Sequence, residues 1–336
     1  MKNLTIPKNY HAELNLHETQ IAIKTVKDFF QTRLASTLEL QRVSAPLFVD
    51  PKSGMNDNLN GWERPVAFDI REQGGRNAEV VQSLAKWKRY ALGNYDFPVG
   101  EGLYTDMNAI RRDEDTDNIH SIFVDQWDWE KVIRREDRNL YYLKDTVRDV
   151  YQVLRKTEKY MSIQYDYIHE LLPDEIFFIS SQELEDQYPD LTPKEREARI
   201  TREKGAVFIM GIGDKLKSGE SHDGRSPDYD DWNLNGDILV WYPVLDIALE
   251  LSSMGIRVDA EALRSQLAKA GCESRAELPF QKAILEDRLP LSIGGGIGQS
   301  RICMFFLRKA HIGEVQSSIW PEEVIASCRD AGIPIL

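Results

Sequence analysis

Cysteine is scarce: Cys272, Cys303 and Cys328 are the only three in 336 residues, and no two of them stand in CxxC spacing. An odd count without that spacing excludes a disulfide framework and a zinc knuckle and leaves ordinary reduced thiols. Positive charge is also short, with 42 Lys and Arg against 55 Asp and Glu and a formal net charge of -13. Such a chain has no broad electrostatic grip on a phosphate backbone, so nucleic acid is not an expected partner; a small anion in a local basic pocket stays open. Long apolar runs are missing. No stretch approaches the roughly 20 residues that a membrane span needs, and the opening MKNLTIPKNYHAELN lacks the apolar core of a secretory signal. The expectation is a cytoplasmic protein without membrane contact. The 6 histidines are scattered and, apart from His120 ahead of a strand, point to no common site. Repeats, low-complexity tracts and Gly/Ser or Pro linkers are absent too, so residues 1–336 read as one domain. With 42% hydrophobic residues and 7 tryptophans, it can bury a sizeable core.

The periodicity that is present gives a mixed order of elements. Ile23, Val26, Phe30 and Leu34 recur at helical spacing within residues 19–38, and Val43, Pro46 and Val49 follow in an extended stretch. Leu140, Leu143, Val147, Val150 and Leu154 mark a long second helix, while IFFIS (176–180) and AVFIMG (206–211) read as buried strands. SSQE (180–183) and TPKE (192–195) are capping boxes, and Asp259 caps a helix carrying Leu263 and Leu267 that stops at Gly271. Strands and helices do not alternate regularly. This favours an α+β domain on a mainly antiparallel sheet flanked by helices over a doubly wound one.

SIGGGIGQSRICMFF (292–306) packs four glycines into five positions, Gly294 to Gly298, shortly before Arg301. A dinucleotide fingerprint needs a third glycine where Gln299 stands, and no Gly-Lys-Ser/Thr follows for a Walker A loop. Of itself the run reads as a tight strand-to-helix junction where backbone comes close to its neighbours. Elsewhere QSLAKWKRYAL (82–92) interleaves Lys86, Lys88 and Arg89 with apolar residues, for which a solvated helix face is the ordinary reading. SIFVDQWDWE (121–130) says more: period-two alternation sets Gln126, Asp128 and Glu130 on one face and Asp125, Trp127 and Trp129 on the other. Carboxylates on an otherwise apolar strand need partners, because burying them unpaired costs several kcal/mol (order of magnitude). MNAIRRDEDTDN (107–118) runs from strand into an acidic turn with Arg111 and Arg112 at the strand end. PDYDDW, LNGD and ALELSSMGIRVD then add Asp230, Asp237, Glu250 and Arg257.

A helix and strand ending in Pro46, a strand with Arg111 and an acidic loop returning on a second strand, and a glycine-rich strand ending in Gly298-Gln299-Ser300-Arg301 together resemble the three motifs of class II aminoacyl-tRNA synthetases. More narrowly, from about residue 20 onward the chain resembles the ammonia-dependent asparagine synthetases (aspartate–ammonia ligases), which share that catalytic fold. SLAKWKR, GEGLYTDM, HSIFVDQWDWE, PDYDDW, LNGDILVW, ELSSMGIRVD and GGGIGQSR carry this narrower resemblance.

The resemblance implies that L-aspartate, ATP and ammonia give L-asparagine, AMP and diphosphate through a β-aspartyl adenylate. It implies Arg111 on the α-phosphate, with Arg112 in an adjacent register as the alternative, and Arg301 on the nucleotide. Asp237 and Glu250 become oxygen ligands for Mg2+ on the ATP phosphates, and Asp230 a further nucleotide-side residue. For aspartate it implies Lys88 and Arg257 on the carboxylates, Asp128 on the ammonium, and Ser83 and Gln126 as hydrogen-bond partners. Asp57, in MNDNLNG, is the expected acceptor of a proton from ammonium, aided by Gln126; by itself the segment reads equally as a turn. Met1-Lys2 offers no N-terminal cysteine for a glutaminase, so free ammonia is the expected nitrogen source. The first-motif helix and strand imply a homodimer. An aspartyl-tRNA synthetase paralogue acting on another acceptor, or an inactive regulatory relative, is the alternative. The acidic balance argues against the first, and retention of Arg111, Glu250 and Arg301 against the second.

Overall fold

A computed structural model of the protein describes residues 4–57, 59 and 61–336. In chain order its strands are β1 (Leu40–Arg42), β2 (Phe48–Val49), β3 (Ala67–Ile70), β4 (Arg76–Val80), β5 (Gly102–Ile110), β6 (Phe123–Val132), β7 (Phe177–Ser180), β8 (Ala206–Met210), β9 (Asp230–Tyr242), β10 (Ile247–Arg257) and β11 (Ser292–Gly298). Its helices are α1 (Leu16–Leu38), α2 (Ala85–Asn94), α3 (Leu140–Gln164), α4 (Ser181–Gln187), α5 (Pro193–Lys204), α6 (Ala260–Lys269), α7 (Pro279–Leu285), α8 (Gln299–Phe306) and α9 (Glu322–Asp330).

Eight strands form one sheet in the order β1-β5-β6-β11-β10-β9-β8-β7, and β2-β4-β3 form a small second one. All pairings from β5 across to β8 are antiparallel, and only the outermost pairs, β1 with β5 and β7 with β8, are parallel. The fold is therefore α+β on a largely antiparallel sheet, as the irregular order of elements predicts.

Local signals explain most boundaries. Asn15 closes a capping box with Glu18, each side chain bonded to the other's backbone N–H at 2.9 Å, and so starts α1 ahead of its first apolar residue of the predicted series. Ala22, Val26, Phe30 and Leu34 then bury one stripe, with Phe30 stacked on Trp127 at 4.8 Å. Ser180 with Glu183, and Thr192 with Glu195, form the boxes that open α4 and α5, and Asp259 accepts the Ala262 N–H at the start of α6.

Two expectations are corrected. The extended stretch after α1 is not one strand: Leu40–Arg42 pairs with β5, whereas Phe48–Val49 pairs with β4 in the small sheet. Pro46 lies between them and has no N–H to continue the first ladder. Nor are Lys86, Lys88 and Arg89 a solvated face, because all three are 2% exposed. Each cation donates to backbone oxygens: Lys86 to Asn56 at 3.0 Å, Lys88 to Gly295 at 2.9 Å, and Arg89 to Val258 and Pro290 at 2.7 and 2.9 Å.

Candidate active site

The alternation of β6 is realised. Trp127 and Trp129 are fully buried in the main core under α1, and Gln126 and Asp128 point the other way, into a site on the opposite face of the sheet, with Glu130 buried behind it against Arg257. What lies beside them on β11 decides the shape. In the antiparallel register Gly298 faces Gln126, Gly296 faces Asp128 and Gly294 faces Glu130. A methyl on Gly296 would stand 2.6 Å from Gln126 Oε1 and 2.9 Å from Asp128 Oδ1, and one on Gly294 would collide with Glu130 and Arg257. The glycines thus make room for neighbouring polar side chains to lie across β11. Ile293 and Ile297, between them, serve the core on the other side.

Above this floor is a cavity of about 580 Å3. Asp57, Ser83, Lys88, Arg111, Gln126 and Asp128 line it, as do Asp230, Glu250, Arg257 and Arg301. Of the residues predicted from sequence only Asp237 does not. It stands on β9 opposite Ser253, which itself faces Gly296, so it belongs to the same transverse row of the sheet. Arg225 lies on it: Nη2 donates to Asp237 Oδ1 at 2.6 Å and Nη1 to Ser253 Oγ. Arg111 lines the cavity and Arg112 is exposed outside it.

One end of the cavity is a buried ion lattice. The Arg257 fork donates to both oxygens of Glu130, at 3.0 and 2.7 Å, and through Nη1 to Asp230. Ser292 adds a hydrogen bond to Glu130 at 2.7 Å, and Lys88 lies 3.4 Å from Asp128. Burial opposes the Glu130 charge, yet the Arg257 guanidinium outweighs it and holds this carboxyl below the usual range. Burial lowers the Lys88 ammonium, with Asp128 pulling the other way. Asp230, read from sequence as nucleotide-side, is placed here, bonded to Arg257.

The other end is less satisfied. Arg111 has no ion pair among the described residues, and its buried Nε has no hydrogen-bond partner. Arg301, in the first turn of α8, donates to the Glu250 carbonyl at 3.1 Å and lies 3.9 Å from the Glu250 carboxylate, which is 40% exposed. Burial, opposed by Arg225 and reinforced by Glu250, pushes the Asp237 carboxyl up to about 6. The Asp237 and Glu250 carboxylates, with guanidinium donors left unpartnered among the described residues, suit a polyphosphate with a divalent cation. No group of three or more His, Cys, Asp or Glu suited to a metal occurs among the described residues.

Asp57 forms part of the wall near Tyr229, whose hydroxyl donates to its Oδ2 at 3.1 Å. Burial pushes this carboxyl up, Lys86 resisting and Asp228 adding to the shift. Sequence reasoning missed Arg225, Tyr229 and Lys194. The first two flank and belong to PDYDDW, the signal that could have found them; Lys194 sits inside a capping box and gave none.

Solved structures with this architecture include the asparaginyl-tRNA synthetase from Pyrococcus horikoshii complexed with asparaginyl-adenylate, at TM-score 0.64 and 15% identity over 90% of this chain and 70% of that one. The aspartyl-tRNA synthetase from Entamoeba histolytica matches at TM-score 0.59 and 15% identity over 89% of this chain and 58% of that one. The class of protein is thus set: a catalytic fold of the class II aminoacyl-tRNA synthetase type. Within it, residues 17–332 match the family described as aspartate-ammonia ligase. An aspartate–ammonia ligase of Clostridium perfringens is 63% identical across the full length of both chains, and one of Clostridium tetani 62% identical over 100% of this chain and 98% of its own. The chain belongs to the aspartate–ammonia ligase family and is a ligase.

Proposed function

We propose that the cavity joins ammonia to the β-carboxyl of L-aspartate at the expense of ATP, with a β-aspartyl adenylate between. The observation that carries this reading is the division of charge within one cavity: a saturated lattice of both signs at one end and guanidinium groups with buried, unpartnered Nε atoms at the other. The first end suits a zwitterion bearing an extra carboxylate, with Asp128 toward its ammonium and Lys88, Arg257, Ser83 and Gln126 toward its carboxylates. The second suits a polyphosphate.

In the first step a β-carboxylate oxygen attacks the α-phosphorus and the bond to diphosphate breaks. Arg111 neutralises the charge that gathers on the α-phosphate oxygens, and Arg301 holds the nucleotide. Glu250 and Asp237 would hold Mg2+, which when bound screens the phosphate charge. In the second step ammonium gives a proton to Asp57, whose carboxyl is made more basic by burial. The ammonia nitrogen attacks the acyl carbon, the C–O bond to AMP breaks, and the new amide nitrogen sheds its second proton to solvent.

The working form is proposed to be a homodimer in the cytoplasm, where ATP and magnesium are supplied. Exposed Leu47 and Phe48, just beyond α1 and β1, suit a contact between two copies, and sedimentation velocity tests it. For the chemistry, the purified protein is mixed with aspartate, ATP, Mg2+ and ammonium, and AMP and asparagine are followed. Formation of ADP, or a strict need for tRNA, sinks the proposal. Asp57→Ala should still form adenylate and release little asparagine; loss of the adenylate as well removes Asp57 from the ammonia step.

A further inference from the structure

Arg225 comes from the segment between β8 and β9, which is tied down on both sides. Ahead of it, Ser218 Oγ donates to Glu185 at 2.6 Å, His222 Nε2 lies 3.1 Å from Glu197, and Lys194 bridges Glu197 and Asp223 at 3.1 and 3.2 Å. Behind it, buried Asp228 accepts from Arg275 at 2.7 Å and from Gln281. The side chain between these anchors is 11% exposed and lines the cavity. It bonds Asp237 and Ser253, lies 3.9 Å from Asp230, and leaves its buried Nε without a partner among the described residues.

Two facts are at odds if Arg225 is only a staple. Asp237 is bonded to Arg225 and lies off the cavity wall, although it shares a row with Ser253, Gly296 and Asp128 on the cavity face. And a guanidinium has five donors, of which one here is buried and idle. We propose that Arg225 is a polyphosphate-binding residue that exchanges partners, giving up Asp237 to a divalent cation and turning its guanidinium to the diphosphate oxygens of a nucleoside triphosphate. This rests on the ATP-dependent reading above. The exchange is balanced in charge: a cation of charge two replaces the guanidinium on the carboxylate, and the guanidinium joins an anion that the same cation brings. The planar fork suits two phosphate oxygens at once. Lys194, held by Glu197 and Asp223, stays in place and keeps the segment anchored.

The test uses the full chain and reads binding, not turnover. Mn2+ alone is titrated by electron paramagnetic resonance, and inorganic diphosphate with Mg2+ by calorimetry, on the natural protein, Arg225→Ala and Arg225→Lys. With Asp237 released, Arg225→Ala should bind Mn2+ several-fold more tightly. Loss of charge-assisted hydrogen bonds should weaken its diphosphate binding about tenfold to a hundredfold. Arg225→Lys should hold Mn2+ near the natural affinity and lose a few-fold on diphosphate, since an ammonium is a point charge. Should the alanine variant not fold by circular dichroism, Arg225→Gln takes its place with the same direction expected for both ligands, because a neutral amide fills the space but removes the charge that competes with the cation for Asp237 and that would bind diphosphate. Unchanged diphosphate affinity, or weakening of both ligands together, overturns the proposal and leaves Arg225 a structural staple. Absence of asparagine formation by the natural protein sinks the ligase reading instead and is read in a separate assay.

Discussion

The two ends of the cavity handle charge in opposite ways. Around Arg257 every charge is answered within the protein: Glu130 at 0% exposure and Asp230 at 2% share its guanidinium. Around Arg111 and Arg225 donors are left idle, and the carboxylates of Glu250 and Asp237 repel. A buried lattice is part of the fold, since removing one member strands the others in low dielectric. Idle donors are not, and they cost stability so that a ligand can satisfy them later. The difference separates side chains whose partners lie within the protein from side chains left free to meet a ligand, although Arg257, Arg111 and Arg225 line one chamber.

The sharpest way to break this contrast is Arg257→Ala. It should cost about 3–5 kcal/mol in a chemical denaturation series, because Glu130 and Asp230 lose their partner. A loss under about 1 kcal/mol would mean that the lattice is not structural. Next is Arg111→Ala, which should leave the denaturation midpoint within about 1 kcal/mol of the natural protein. Aspartate-dependent exchange of labelled diphosphate into ATP should meanwhile fall about 10²- to 10³-fold. Equal effects on stability and exchange would erase the distinction. Gly296→Ala sharpens it further: the added methyl lies within 2.9 Å of Gln126 and Asp128 oxygens, so about 1–3 kcal/mol of overpacking falls on the aspartate end. Isothermal titration should find aspartate weakened about tenfold and ATP much less.

The smallest effect concerns Asp57. Burial raises its folded-state pKa above that of the unfolded chain, so its contribution to stability is fully present below the unfolded value and is lost as pH rises through the folded one. Asp57→Asn stays neutral and keeps that contribution. Its melting temperature should exceed that of the natural protein modestly at pH 7, and the gain should shrink toward pH ~4, where both side chains are uncharged. A gain independent of pH would assign it to packing.

Much of this was legible in the chain. Alternation along β6 places Gln126, Asp128 and Glu130 correctly because a strand's period admits no other arrangement when Trp127 and Trp129 take the core. Capping boxes mark α4 and α5 because they are local, reciprocal bonds. What escaped depends on partners far away in sequence. Lys86 and Arg89 look like solvent-facing charges until the loops whose carbonyls they bind are in view. Arg225 is one cation in a polar loop with no period to read, and its meaning comes from Asp237 and Ser253, residues of two later strands. The split of the stretch around Pro46 likewise follows from which ladder each half joins.

The glycines of β11 carry a final consequence. Along the chamber this strand's glycines offer volume and no side chains, so ligand preference is written on the elements around it, with β6 and β10 as its immediate neighbours. Changes at positions 126, 128 and 253 can therefore redraw the shape and polarity of the chamber while β11 stays as it is. Any side chain gained at 294 or 296 can only subtract from it.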